Sequence, residues 1–119
     1  MKYKRKNIVW EVEHFYGIIP VEEDGEIFYP AMMLIIDSIS EAIIGHYITH
    51  PHMVNIEFQQ LLLRSIEESG IIPRKVQIAR EETFLYLIDI FQNLGVEVEI
   101  VKKLNIIPNI KRDMFNSMM

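Results

Sequence analysis

Cysteine is absent from all 119 residues. That excludes a disulfide framework, a thiolate metal centre and a cysteine nucleophile, and it fits a reducing compartment. A cytoplasmic setting is the expectation. Basic residues are in deficit, 12 Lys and Arg against 17 Asp and Glu, for a formal net charge of -5. A surface built to wrap duplex DNA needs clustered cations, so nucleic acid is not the expected partner. Long apolar runs are missing too: the longest, Ala31 to Ile36, is much too short to cross a bilayer as a helix, and no membrane association is expected. No Gly-rich phosphate loop, no G-x-S-x-G elbow and no H-E-x-x-H helix occurs. Nucleotide hydrolysis and serine hydrolysis therefore have no support. There is no internal repeat and no low-complexity tract.

What is present is a globular composition, 50% hydrophobic and 24% charged, at a length that supports one core. A single domain over residues 1–119 is expected, with residues 1–6 as a basic N-terminal tail carrying Lys2, Lys4, Arg5 and Lys6. No apolar segment or small-residue cleavage site follows those cations, so they are read as a solubilising end.

From Asn7 to Tyr16 the chain alternates. Ile8, Trp10 and Val12 point one way, and Val9, Glu11, Glu13 and Phe15 the other, which predicts a strand. "GIIPVEEDGEIFYP" is a connection with a turn at "EEDG". Ile27 to Ile36 is too continuously apolar for a strand open on one face, and its paired part should begin after Pro30. "DSISE" turns the chain into a third strand over Ala42 to Ile48. Three strands in an antiparallel meander are expected. Helical spacing then links Phe58, Leu61, Leu62, Ser65 and Ile66, stopped by Gly70. A short strand over Lys75 to Ala79 is followed by "REETFLYLIDIFQNLG", a helix with two acids in its first turn and Gly95 at its end. "VEVEIV" alternates as a strand, and "IIPNIKRDMFNSMM" starts a last helix near Pro108. The order β-β-β-α-β-α-β-α implies an α/β domain with a five-stranded mixed sheet.

That order resembles the ribonuclease H-like fold over nearly the whole chain. "WEVEHFYGI" followed by "PAMMLIIDSISEAIIGHYI", and later "GIIPRKVQIA", look like the opening of a transposase or retroviral-type integrase core. The resemblance implies acids on the first strand, at the end of the fourth and on a later helix, gathered around Mg²⁺ or Mn²⁺ for phosphoryl chemistry. The positions here that match are Glu11 or Glu13, then Glu81 or Glu82, then Asp113. The usual aspartates are replaced on the first strand and missing at the fourth, where Arg80 stands beside the two glutamates. The constellation is degenerate.

Glu11 and Glu13 are otherwise read as an acidic stripe on a partly exposed face, paired with Arg74 or Lys75. Asp37 is read as the corner of a hairpin, capping the amides of "SIS". In "HYITHPH", His50 and His52 project to one side of an extended segment and could meet an ion, but no fixed-spacing metal signature surrounds them, and the loop is read as a solvated cap with no metal expected. Seven methionines and a high apolar fraction point to hydrophobic surface left over after folding. The expectation is a non-catalytic ribonuclease H-like domain, free of cofactor, acting with a protein partner or as a homodimer. The alternatives are a divergent Mg²⁺- or Mn²⁺-dependent nuclease and a non-catalytic nucleic-acid binder.

Overall fold

A computed structural model describes residues 3–118. The chain runs β1 (Lys4–Tyr16), β2 (Val21–Glu23), β3 (Glu26–Phe28), β4 (Ala31–Asp37), β5 (Ile43–Thr49), a 3₁₀ turn (Pro51–Met53), α1 (Val54–Ser69), β6 (Ile71–Ile78), α2 (Glu81–Leu94), β7 (Glu97–Ile100) and α3 (Ile107–Met118). The main sheet has the order β5-β4-β1-β6-β7. β1 pairs antiparallel with β4 and parallel with β6, and β6 pairs parallel with β7. This is the expected five-stranded mixed sheet, with β1 at its centre.

Three expectations change. Lys4, Arg5 and Lys6 are not a tail: they belong to β1 and pair with Ile71, Ile72 and Pro73 of β6, while Lys2 lies outside the described residues. A shift in register between Lys6 and Val9 marks a bulge that lets one long strand serve both halves of the sheet. β6 starts at Ile71, earlier than Lys75, because Pro73 stands before the stretch paired with β7 and its missing N–H leaves that ladder intact. The connection before β4 is itself a hairpin, turned at Asp24 and Gly25, both with positive φ as a two-residue type I′ turn requires.

Two apolar layers sandwich the sheet. On one face Trp10, Val12, Met33 and Ile35 meet Phe58 and Leu62 of α1 and Leu87 and Phe91 of α2. On the other, Phe15, Met32, Leu34 and Ile36 meet Leu104, Ile107 and the apolar side of α3. Each fully buried Phe or Leu contributes about 1.5–3 kcal/mol. α1 and α2 end on Gly70 and Gly95 in the left-handed conformation, each closing its helix with a backbone bond. No helix among the described residues is long and apolar enough to cross a membrane.

α1 lies against β5 at Gly45, where a Cβ would run into the Ser65 hydroxyl and stand 3.3 Å from Leu61 Cδ1. Ser65 cannot readily turn aside, since its hydroxyl donates to the Leu61 carbonyl at 2.7 Å. Gly45→Ala should therefore cost about 2 kcal/mol by overpacking. Combining it with Ser65→Ala should recover most of that loss. Urea unfolding of the two single variants and the double variant tests the coupling; strictly additive effects would show that the close approach is not the cause.

Candidate functional site

Alternation along β1 sends Glu11 and Glu13 to the α3 side and Trp10, Val12 and His14 to the α1/α2 side. Both carboxylates lie in the middle of the molecule. Glu11 is fully buried, and Glu13 is 9% exposed. The expected partly exposed stripe paired with Arg74 or Lys75 is thus corrected: Lys75 pairs with Glu99 at 3.4 Å, and Arg74 donates to the Asn7 side chain.

Glu11 has a different set of partners. Its oxygens accept from the backbone N–H groups of Asn105 at 3.3 Å, Ile106 at 3.0 and 3.1 Å, and Ile107 at 3.0 Å. These are the amides that open α3. A helix start carries orphan donors and a partial positive charge, and the carboxylate satisfies both. Glu11 is the cap of a helix more than ninety residues downstream.

Glu13 accepts no hydrogen bond from any described residue. Burial pushes its carboxyl up from the ordinary range, the charges of Lys111 and Arg80 pull it down, and Glu11 adds a smaller upward push. Two cations of the chain therefore stand near the acid at the centre of the sheet. Lys111 lies over the rings of Phe15 and Phe115 at 5.1 and 5.8 Å, and Arg80 donates to the His14 carbonyl at 3.2 Å.

The remaining candidates are not gathered with these. Glu81 and Glu82 are exposed on the first turn of α2. Glu82 meets Arg80 at 3.3 Å and reaches towards His14 Nε2 at 3.9 Å, placing it nearer the opposite face from Glu13. Asp113 is exposed on α3. Among the described residues, the one set of three His, Asp or Glu side chains whose ligand atoms lie within 4.8 Å of one another is Glu26, His50 and His52.

Asp37 does what a hairpin corner requires: Oδ1 accepts from Ile39 N at 2.8 Å and Ser40 N at 3.0 Å. Sequence reasoning passed over His14. Fully buried, it bonds Thr83 Oγ1 through Nδ1 at 2.7 Å, and its Nε2 has no hydrogen-bond partner. Phe58, Tyr16 and Tyr86 surround the ring. Burial, with a smaller contribution from Arg80 and against the pull of Glu82, lowers its pKa to about 4, so the imidazole is neutral near pH 7. Its shared parity with Trp10 and Val12 was the available signal.

A family model described as a domain of unknown function matches residues 1–115. No curated protein matches in sequence. Among solved structures, the catalytic core domain of BIV integrase superposes with a TM-score of 0.64 at 10% identity, covering 91% of this chain and 66% of that one. The HTLV-2 integrase catalytic core domain in complex with magnesium, in its dimeric form, gives 0.60 at 12% identity, covering 82% and 62%. A chain in the structure of the simian T-cell lymphotropic virus intasome in complex with PP2A regulatory subunit B56 gamma gives 0.59 at 12% identity, covering 83% and 34%. The chain thus spans less than two thirds of the length of these structural relatives. At such identities the likeness is one of fold, and the fold is ribonuclease H-like, of the integrase-core kind.

Proposed function

Because the chain belongs to the DUF6930 family, a domain of unknown function, we propose a role from its own side chains: a non-catalytic ribonuclease H-like domain that acts in protein interaction or assembly. One observation carries the reading. The carboxylate at the centre of the sheet that could start a metal site, Glu11, is taken up by three backbone N–H groups, and its neighbour Glu13 is flanked by the charges of Lys111 and Arg80. Two-metal phosphoryl transfer needs several oxygen ligands with free lone pairs converging on one volume. Here the acids are divided between the two faces of the sheet or lie at its surface. The runner-up, a Mg²⁺- or Mn²⁺-dependent nuclease, would have to run on Glu13 with little help.

The interaction side rests on β5. It is an edge strand with Ile43, Tyr47 and Ile48 exposed, and beside it an apolar groove of about 230 Å³ is lined by Met32, Leu34, Ile48, Ile110 and Met114. An edge with free backbone groups next to an apolar groove is the kind of surface that a protein partner or a second copy covers. The leftover apolar surface expected from the methionine content is consistent with this, although Met32 and Met33 are themselves buried and Met119 lies outside the described residues. A working place in the cytoplasm accords with the lack of cysteine.

Two assays test the proposal. Incubation with single- and double-stranded DNA and RNA in Mg²⁺ or Mn²⁺ should give no cleavage, whereas metal-dependent cleavage abolished by Glu13→Gln would overturn it. Light scattering should show wild-type self-association, or capture of a protein, that Ile48→Lys weakens.

A further inference from the structure

The hairpin of β2 and β3 stands apart from the main sheet as its own two-stranded unit. What ties it back is a small cluster at the end of β5. His50 Nε2 lies 2.9 Å from Glu26 Oε1, and the His50 ring packs on Phe28 at 4.1 Å and on His52 at 4.7 Å. From this geometry we infer that Glu26, His50 and His52 form a binding site for a zinc-class dication that clamps the hairpin to the body of the domain.

The ligand chemistry fits the inference. Two imidazoles and one carboxylate suit Zn²⁺ and its neighbours in the first transition row, and they disfavour Mg²⁺, which demands oxygen. With metal–ligand bonds of about 2.1 Å, a tetrahedral ion holds neighbouring ligand atoms about 3.4 Å apart. The three side chains offer atoms within 4.8 Å of one another, so small rotations of exposed groups close the site. Three protein ligands leave a fourth position open to water or to a side chain from a partner. Glu22, Glu23 and Asp24, at the tip of the same arm, add negative charge that attracts a cation.

The cost is local and identifiable. His50 Nδ1 accepts the His52 backbone N–H at 3.1 Å, so in the metal-free state Nε2 carries the ring hydrogen and donates it to Glu26. Coordination through Nε2 moves that hydrogen to Nδ1 and gives up both the His52 backbone bond and the Glu26 hydrogen bond in exchange for metal–nitrogen and metal–oxygen bonds. The neutral ring neither gains nor loses a proton. Clamping would fix an arm that presents Val21, Ile27 and Tyr29 to solvent, and would set the width of the crevice that Val21, Phe28 and His50 share with Ile48 of β5. The site uses none of the residues on which the proposed function rests.

Isothermal titration of the full chain with ZnCl₂, in parallel with MgCl₂, tests the site. One equivalent of Zn²⁺ should bind, with at least about tenfold weaker affinity in both His52→Ala and Glu26→Gln, while Mg²⁺ gives no heat. Amide exchange at residues 21–28 should slow on adding Zn²⁺. Glu26 and His52 are exposed, so neither variant should disturb folding, and unchanged far-ultraviolet dichroism verifies that. No Zn²⁺ binding, or binding that both variants leave unaltered, would overturn the inference.

Discussion

Replacing Glu11 with alanine is expected to lower the unfolding free energy by about 3–5 kcal/mol, as when more than one hydrogen bond to a charged group, each worth about 1.5–3 kcal/mol, is lost at once. The loss has a specific origin. Asn105, Ile106 and Ile107 would keep their N–H groups pointed into the space the carboxylate filled, and a buried donor without an acceptor costs about 1–3 kcal/mol. Water can serve the exposed Asn105, but not Ile107, which is buried beside Leu104. A domain of this size has only about 5–15 kcal/mol in hand, so the variant should be marginal. Glu11→Gln, which keeps one acceptor oxygen but brings an amide donor among the N–H groups, should fall in between and remain folded. Urea unfolding gives the free energies, and amide exchange over Ile107–Met118 reports whether α3 has come loose. Near-wild-type stability of Glu11→Gln with unchanged exchange in α3 would show that the cap matters little.

Acidification should weaken the fold through His14. Its folded pKa of about 4 lies below the ordinary value of 6.5, so between those limits the unfolded chain binds a proton that the folded chain refuses. Stability from this group is complete above pH 6.5 and is lost as pH falls towards 4, where the loss reaches about 3 kcal/mol at 1.36 kcal/mol per unit. Glu13 acts in the opposite sense: its carboxyl is raised by burial, so the folded chain takes up its proton first and gains some stability as the pH drops towards 4.5. His14→Phe, placed among Phe58, Tyr16 and Tyr86, should flatten the profile between pH 7 and 5. Unfolding free energy against pH, with the His14 ring followed by NMR, checks this; a ring titrating near 6.5 would contradict it.

The strands and helices were legible where a local signal existed. Gly70 and Gly95 stop their helices by a conformation that glycine adopts at little cost, and the parity of Trp10 and Val12 on β1 is the parity of the core. What was hidden depends on distant partners. Lys4 to Lys6 look like a soluble tail, and only pairing with β6, nearly seventy residues on, makes them a strand. β2 and β3 have three residues each, too few for a period to register. The spacing of His50 and His52 was visible, but Glu26 joins them from 24 residues earlier in the chain, with β4 and β5 between. For Glu11 the sequence showed an acid on an apolar strand, and two readings followed, metal ligand and exposed stripe. Its actual partners are backbone amides 94 to 96 residues away, which carry no side-chain signature.

The most direct test is to add Mn²⁺ to isotope-labelled protein and follow paramagnetic broadening residue by residue. If the carboxylates are divided and engaged as described, amides around Glu11, Glu13, Arg80 and Lys111 stay sharp at Mn²⁺ concentrations that saturate a two-metal nuclease. Selective broadening centred on Glu13 and the start of α3, relieved by Mg²⁺, would mean that the central acids hold a divalent cation together, and the account would fail.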